Sequence, residues 1–479
     1  MPQFMTMAIP TRLPLVVDTS NRDGSTSKDA RLVNCFTEVN QQQGVQIYKR
    51  PGTLQQAVVS VNSPGLGIWT WNNNVYSIFN VGASASMFKN GVQVATGMNN
   101  TAPYTFSSVV GSTPKMVLQN GPAGYAYNDT AGLSATLNSI NNVYPANNVP
   151  GLVYLDGYMY VMQHLQGTAI TPAVIWESNL NSVDVAGDWN ALNFITAQIE
   201  PDPGVFLAKQ LVYVIAGKQW STEVFYDAGD ASGSSLAPVQ EAKQPYGCAN
   251  AYSLQSINDS LLWLSQNQSA SLQVVMMQNL RLAVVSTPAI ERLLQNASLT
   301  TVRSLQMKIN GHNFYILNLI SANLTLVYDI AQNQWSQWTD ENGNYFPFVG
   351  STYDGSGNHI LQHVSNGALY YANSTYLTDN NLPISVDIYT PIFDAGTRRR
   401  KQMNYMQFIA DQVPAQLQVR VSDDDYQTWS NARNVDLSQK IAFLSNCGSF
   451  TKRAFHLNHT ANTEFRISAV EMQFDIGSL

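Results

Sequence analysis

The sequence predicts an all-β chain, a β-propeller of six or seven blades followed by a C-terminal antiparallel β-sandwich. Three observations carry that prediction. A tight-turn signal is followed at once by an aromatic-rich strand seven times, helix signals are scarce, and the strand texture changes near residue 384. The seven turns are Asn73-Asn74, Asn120-Gly121, Asp156-Gly157, Gly217, Asn258-Asp259, Gly311 and Asn366-Gly367. Asn-Gly and Asp-Gly accept the positive φ of turns that match strand twist, so each signal reads as a hairpin. Successive signals lie roughly 36 to 60 residues apart, a spread centred on the length of one four-stranded blade.

Residues 1–55 read as an opening segment that joins the propeller. It ends in Tyr48-Lys49-Arg50-Pro51-Gly52, where Pro51-Gly52 predicts a type II turn with Gly52 at positive φ. Residues 56–380 carry the blades. Alternation is plain in Trp69-Thr70-Trp71 and in Val75 to Phe79. Leu326 to Asp329 precedes Trp335 and Trp338, which suit the wedge between neighbouring sheets. Thr287-Pro288 predicts one short helix in an inter-blade connection. Gly, Ala, Ser and Pro dominate residues 228–246, which marks a long exposed loop. Residues 384–479 alternate strictly, as in Gln416 to Val421 and Phe465 to Phe474, and read as a separate sandwich domain.

Composition narrows the function classes. Hydrophobic residues make up 44% of the 479, enough for sizeable cores, while charged residues are only 12%, about half the usual share. Amides and hydroxyls take their place, which suits salt-insensitive contacts within an assembly as well as it suits a neutral surface. The net charge of −7 gives no global pull toward nucleic acid or anionic membrane. Cys35, Cys248 and Cys447 are widely spaced and odd in number, so they read as reduced core thiols. The N-terminus lacks a basic start and an apolar run, and no stretch approaches membrane-spanning length.

No motif supports catalysis, a cofactor or a metal. Ser422 to Trp429 resembles the Asp-box of sialidases, with Tyr426 where Gly is usual. That motif is a hairpin clasp, built on Asp424 and Trp429 here, and it occurs once. The acidic run Asp423-Asp424-Asp425 offers oxygen ligands for a hard cation but reads first as an acidic turn. The histidine pairs His359/His363 and His456/His459 have i,i+4 or closer spacing. On a strand an i,i+4 pair sits about 13 Å apart, so core or solvated histidines are expected. Arg398-Arg399-Arg400-Lys401 is the one dense basic run. It reads as an interface or DNA-facing patch, and as a device that blunts an exposed sheet edge.

The order of features resembles a family. Leu32-Val33-Asn34-Cys35 followed by Tyr48-Lys49-Arg50-Pro51-Gly52 resembles the "N-x-x-x … R-P-G" opening of tail hub or nozzle proteins of short-tailed bacteriophages, the packaged-DNA stabilisation proteins or tail accessory factors. Tyr389 to Ala395 is similar to that family's "F-T-P-L-F-x-A", and Val419 to Asp424 and Ser449 to Arg453 follow in its order. The resemblance implies a non-enzymatic virion protein, made in the host cytoplasm, whose copies (six) ring the tail axis. Such a ring lies below the portal adaptor or head-to-tail connector, extends the channel through which double-stranded DNA passes, and helps retain the packaged genome. It carries tail fibres or tailspikes and a tail tip or needle, without membrane insertion. Two other classes stay open. A propeller glycosidase or sialidase-like enzyme needs an Arg cluster spread over blades, in which this chain is poor. A carbohydrate-binding adhesin draws on the abundant Trp, Tyr and Asn.

Overall fold

Strands dominate the computed structural model, which describes residues 11–16, 29–40, 44–163, 173–230, 233–269 and 271–477. Among them seven four-stranded antiparallel units follow one another. Blades one to six open at Gly65–Trp71, Thr105–Val109, Val153–Leu155, Gly204–Gln210, Gln255–Ile257 and Val302–Ile309. Blade seven is built from Phe348–Tyr353, His359–His363 and Ala368–Asn373, and its fourth strand is Gly52–Val58, brought from the N-terminal side. That pairing closes the ring with the chain's own beginning. The circle also closes between blades seven and one, where Thr70 and Thr352 hydroxyls meet at 2.8 Å.

The turn signals located hairpins, though not always the same one. Asp156-Gly157, Asn258-Asp259 and Asn310-Gly311 join first to second strands, with positive φ at both residues. So do Asn72-Asn73, one residue earlier than expected. Asn120-Gly121 and Asn366-Gly367 join second to third strands. Gly217 is a correction. It lies inside the strand Tyr213–Lys218, and the turn of blade four is Leu211-Val212, with Leu211 at φ 54. Gly217 is required for another reason: a Cβ there would stand 2.1 Å from Cε1 of Phe206 on the adjacent strand.

Pro51-Gly52 is also corrected. Gly52 begins a strand without positive φ, and a Cβ would meet the carbonyl oxygen of Thr378 at 2.3 Å. The Thr287-Pro288 signal does start a helix, Pro288–Asn296, capped by the Thr287 hydroxyl accepting from the Ile290 amide. A second short helix, Leu137–Ile140, carries no comparable sequence signal. The Ala/Gly/Ser stretch is only partly loop. Leu236–Pro238 forms the outer strand of blade four, and Ala231 and Ser232 lie outside the described residues.

Buried amides recur near the end of the second strand of a blade. Gln119 Nε2 donates to the carbonyls of Val149 and Gly151 on the approach to blade three. Asn318 Nδ2 reaches Phe346 and Phe348 at the start of blade seven. Gln362 donates to Ile78 O at 2.8 Å and accepts from Gly67 N at 3.0 Å in blade one. Each amide offers both donor and acceptor without charge, so it satisfies backbone groups that no ladder reaches. In blade four the position is Lys218, fully buried, whose Nζ donates to Glu200 O and pairs with Glu223 at 2.5 Å and Asp202 at 3.0 Å. Trp335 and Trp338 wedge between blades as expected, Trp335 toward blade five and Trp338 toward blade seven.

The C-terminal strands form two sheets whose inward residues share one core, including Ile47, Val386, Met406, Leu417, Leu457 and Ile467. The opening segment takes part in both bodies. Cys35–Asn40 and Gly44–Lys49 form a hairpin that pairs with Arg466–Ile476. Arg31–Val33 pairs with Val386–Tyr389 on one side and, in parallel, with the outer strand of blade six on the other. One nine-stranded sheet therefore runs from blade six into the C-terminal layer.

Candidate functional site

The opening motifs of the family resemblance, Asn34 and Arg50-Pro51-Gly52, converge on the weld between the two bodies. Arg50 has a fully buried side chain. Its Nε donates to Asn34 Oδ1 at 2.9 Å, and Nη1 donates to Pro51 O at 3.0 Å and Asp379 Oδ1 at 3.1 Å. Nη2 donates to Thr339 O at 2.9 Å and to Asp379 Oδ2. The planar fork thus uses its donors on groups from four separate segments. Asn34, at φ 55, completes the node, its Nδ2 donating to Thr339 Oγ1 and Ser385 O, each at 2.8 Å. The guanidinium also lies over Phe346 at 5.0 Å and Trp338 at 5.7 Å. Asn34, Arg50 and Gly52 therefore hold sheets together. Pro51 contributes its carbonyl to the same node.

The basic run divides. Arg398, Arg399 and Arg400 are exposed, and Arg400 Nε donates to Ser449 Oγ at 2.9 Å. Lys401 is buried, its Nζ donating to the carbonyls of Thr397, Arg399 and Thr451. It braces the loop that displays the three arginines and is not itself available to a ligand. The strand it begins, Lys401–Ala410, pairs with Arg466–Ile476 on one side and with Ala442–Ser445 and Ser449–Phe450 on the other. It is an interior strand, so the edge-blunting expectation is wrong: the arginines stand on a loop.

The Asp-box-like segment is a clasp in geometry as well as in sequence. Asp424 accepts from Ser422 Oγ at 2.8 Å, Thr428 N at 3.0 Å and Thr428 Oγ1 at 2.5 Å. These hydrogen bonds, led by the Thr428 hydroxyl, pull its carboxyl down to about 2. Asp425 and Tyr426 both adopt positive φ, which explains why Gly is usual where Tyr426 stands. Trp429 packs against Tyr389, Tyr426 and His456. Asp423 pairs with Arg453 through both oxygens and Asp425 pairs with Lys452. All three acids are thus engaged by protein groups.

The histidines of the two pairs are structural. His359 and His459 are buried, and burial drives each ring down to about 4. Burial does the same to His363, whose Nδ1 accepts from the amides of Ser365 and Asn366. His456 Nε2 meets Asp387 Oδ1 at 2.7 Å while its ring stacks on Tyr389. Among the described residues no cluster of His, Cys, Asp or Glu is arranged to hold a metal ion. Cys35 and Cys248 are buried and Cys447 is half-buried, all unpaired, and burial pushes the Cys248 thiol up to about 12. Among the described residues no helix is long and apolar enough to cross a membrane.

Solved structures match the chain at low similarity. The chain is 9% identical to BBS1N from its complex with ARL6DN, covering 68% of this chain and 98% of that one with a TM-score of 0.38. It is 8% identical to the N-terminal domain of Nup159, covering 72% and 99% with a TM-score of 0.38. An exo-beta-1,3-galactanase from Phanerochaete chrysosporium is 9% identical over 74% and 99%, with a TM-score of 0.28. Values this low carry no functional argument. No curated protein sequence matches the chain at a significant level. A family model does match, over residues 11–362, spanning the opening segment and nearly all of the propeller. The chain is a phage structural protein with a propeller fold and belongs to the phage stabilisation family described as Bacteriophage P22 Gp10, beta-propeller.

Proposed function

We propose that six copies of the chain form a ring in a short phage tail, below the portal adaptor or head-to-tail connector. In this reading the ring extends the DNA channel, helps retain packaged DNA, and docks fibres or tailspikes and a tail tip or needle. The observation that supports it most is the weld at Arg50. A ring closed by head-to-tail contacts needs two unlike patches on each subunit, held at a fixed angle. A sheet continuous from blade six into the C-terminal layer, pinned by a buried guanidinium, supplies that stiffness.

Arg398, Arg399 and Arg400 are proposed as a contact for a neighbouring protein or for passing DNA, with Lys401 holding their loop in shape. Negative-stain microscopy of the purified chain, with and without its adaptor, tests the ring. Six-fold rings are expected, and a chain that stays single in both conditions overturns the reading. Replacing the three exposed arginines by Gln should flatten the salt dependence of any binding to short duplex DNA. An unchanged slope removes DNA from the list of partners for that loop.

A further inference from the structure

A guanidinium that donates only to carbonyl oxygens keeps its whole charge, whereas one paired with a carboxylate is neutralised. The exposed arginines Arg398 to Arg400 belong to a wider cluster of the first kind. Arg433 stands in the strand Arg433–Asp436 of the facing C-terminal sheet. Its Nη1 donates to Asn446 O at 3.0 Å and its Nη2 to Ser445 O at 2.6 Å. Three residues on from Asn446, Ser449 accepts from Arg400 Nε. The turn between them, with φ 54 at Asn446 and 73 at Gly448, draws Arg433 and Arg400 to one seam between the sheets. Arg453 is buried there, donates to Cys447 O at 2.5 Å and is balanced by Asp423. Among the described residues Arg398, Arg399, Arg400, Arg433 and the exposed Lys440 pair with no carboxylate. The acids of the strand Arg466–Ile476 are engaged, Glu471 with Arg12 and Asp475 with Asn404 Nδ2.

Next to these cations the surface is apolar. The strands Lys401–Ala410 and Ala442–Ser445 turn Met406, Phe408, Ala442 and Leu444 into the core, and so turn Tyr405, Gln407, Ile409 and Phe443 outward. Phe443 is 52% exposed and stacks on Tyr405 with ring centroids 5.6 Å apart. Ile441, two residues before Phe443, is 54% exposed, and Ile409 is exposed as well. Tyr405 lies opposite Ser445, the residue whose carbonyl Arg433 holds. At the other end Lys440 adjoins Ile441. An apolar strip therefore runs between Arg433 and Lys440, with Arg400 beyond the first of them.

We propose that this strip docks a protein segment in which an aromatic or aliphatic residue is flanked by Asp or Glu. Charge complementarity selects the acids, since both ends of the strip present cations that nothing in the chain neutralises. The strip itself selects protein over nucleic acid. Duplex DNA meets a protein surface first through its phosphates, which gain nothing from Phe443 and Ile441. Protein interfaces combine aromatic anchors with arginine, and a rim of polar contacts keeps water from the anchors. The inference rests on the reading of Arg398 to Arg400 as an outward contact, enlarges that contact by Arg433, Tyr405, Ile441 and Phe443, and makes its partner a protein.

Selection of a displayed library of random peptides on the full chain tests the docking, followed by fluorescence anisotropy of the enriched peptides. The enriched sequences should set Phe, Trp, Leu or Ile beside Asp or Glu. Phe443→Ser, Ile441→Ser and Arg433→Gln should each weaken their binding roughly tenfold. Ile441→Ser disturbs no hydrogen bond of the seam, so it decides the matter even where Arg433→Gln loosens the fold. Duplex DNA should not displace the peptides. Three results overturn the proposal: no enrichment, enrichment of peptides without acids, or peptides that bind Ile441→Ser and Phe443→Ser as tightly as the natural chain. Displacement by duplex DNA that Arg433→Gln abolishes and Phe443→Ser leaves intact also overturns it, and makes the seam a nucleic-acid contact. Replacing Arg398 to Arg400 by Gln is read separately against DNA. A changed salt slope there without peptide enrichment keeps the contact reading and strikes the protein partner.

Discussion

Replacing Arg50 with Met asks whether the weld is what holds the two bodies together. Met keeps much of the stem volume and removes five hydrogen bonds, two of them to Asp379, which is itself only 14% exposed. Removing one partner of a buried pair leaves the other charge desolvated and costs about 3–5 kcal/mol. A surface pair such as Arg12–Glu471, with the arginine 62% exposed, would give at most about 1 kcal/mol. Arg50→Lys retains the charge but brings three donors without the fork, so an intermediate loss is expected. Arg50→Met/Asp379→Leu should cost less than the two single changes summed, because no orphaned carboxylate remains. Urea unfolding followed by tryptophan fluorescence reads this directly, with Trp338 beside the node. Beyond the lost stability, the transition should split as propeller and C-terminal sheets come apart separately. A loss under about 1 kcal/mol with one cooperative transition, or strict additivity in the double variant, would refute the reasoning.

Other changes test the local arguments. Gly217→Ala forces a methyl into the Phe206 ring and should cost about 1–3 kcal/mol by overpacking, read as a lower denaturation midpoint. Leu211→Asn relieves a bulky residue at φ 54 that is 45% exposed; a gain of about 0.5–1 kcal/mol is expected, and any loss would mean that Leu211 packs against more than its turn. Acid should weaken the fold between pH 6.5 and 4. His359, His363 and His459 titrate near 4 when folded and near 6.5 when unfolded, so the unfolded chain binds more protons in that window and stability rises with pH across it. Each contributes a loss of about 2 kcal/mol at pH 5 relative to neutral pH, and flat stability from pH 7 to 5 would contradict their burial as neutral rings.

Much of the propeller was legible because its turns obey local chemistry. Asn-Gly and Asp-Gly mark positive φ at most of their places among the described residues, as at Asn90-Gly91 and Asp156-Gly157, and a glycine next to an aromatic run looks the same whether it makes a turn or makes room. Gly217 was misread for that reason: its signal is steric, set by Phe206 on another strand. The true turn, Leu211-Val212, has no turn chemistry at all. Gly52 failed in the same way, since what it avoids is backbone more than 300 positions later in the chain. The clasp around Asp424 was readable because all its partners lie within a few residues. The fate of Lys401 was not, because the carbonyl of Thr451 comes from 50 positions later in the chain.

Part of the scarcity of charge has a structural counterpart inside the propeller. Amides were expected on the surface, yet Gln119, Gln210, Asn318 and Gln362 are almost wholly buried. A closed ring of sheets leaves backbone donors and acceptors at each blade boundary that strand pairing cannot reach. An uncharged amide satisfies them at no cost of burying an ion. Blade four shows the alternative: once Lys218 occupies the position, Asp202 and Glu223 must be buried with it. Each of these boundaries settled by an amide spares such a triad, a small contribution to the low charge of the chain. Where cations stand exposed in a row, at Arg398 to Arg400, a buried lysine spends its three donors holding their loop. On the proposed reading, that brace would hold the arginines as a fixed surface for a partner outside the chain.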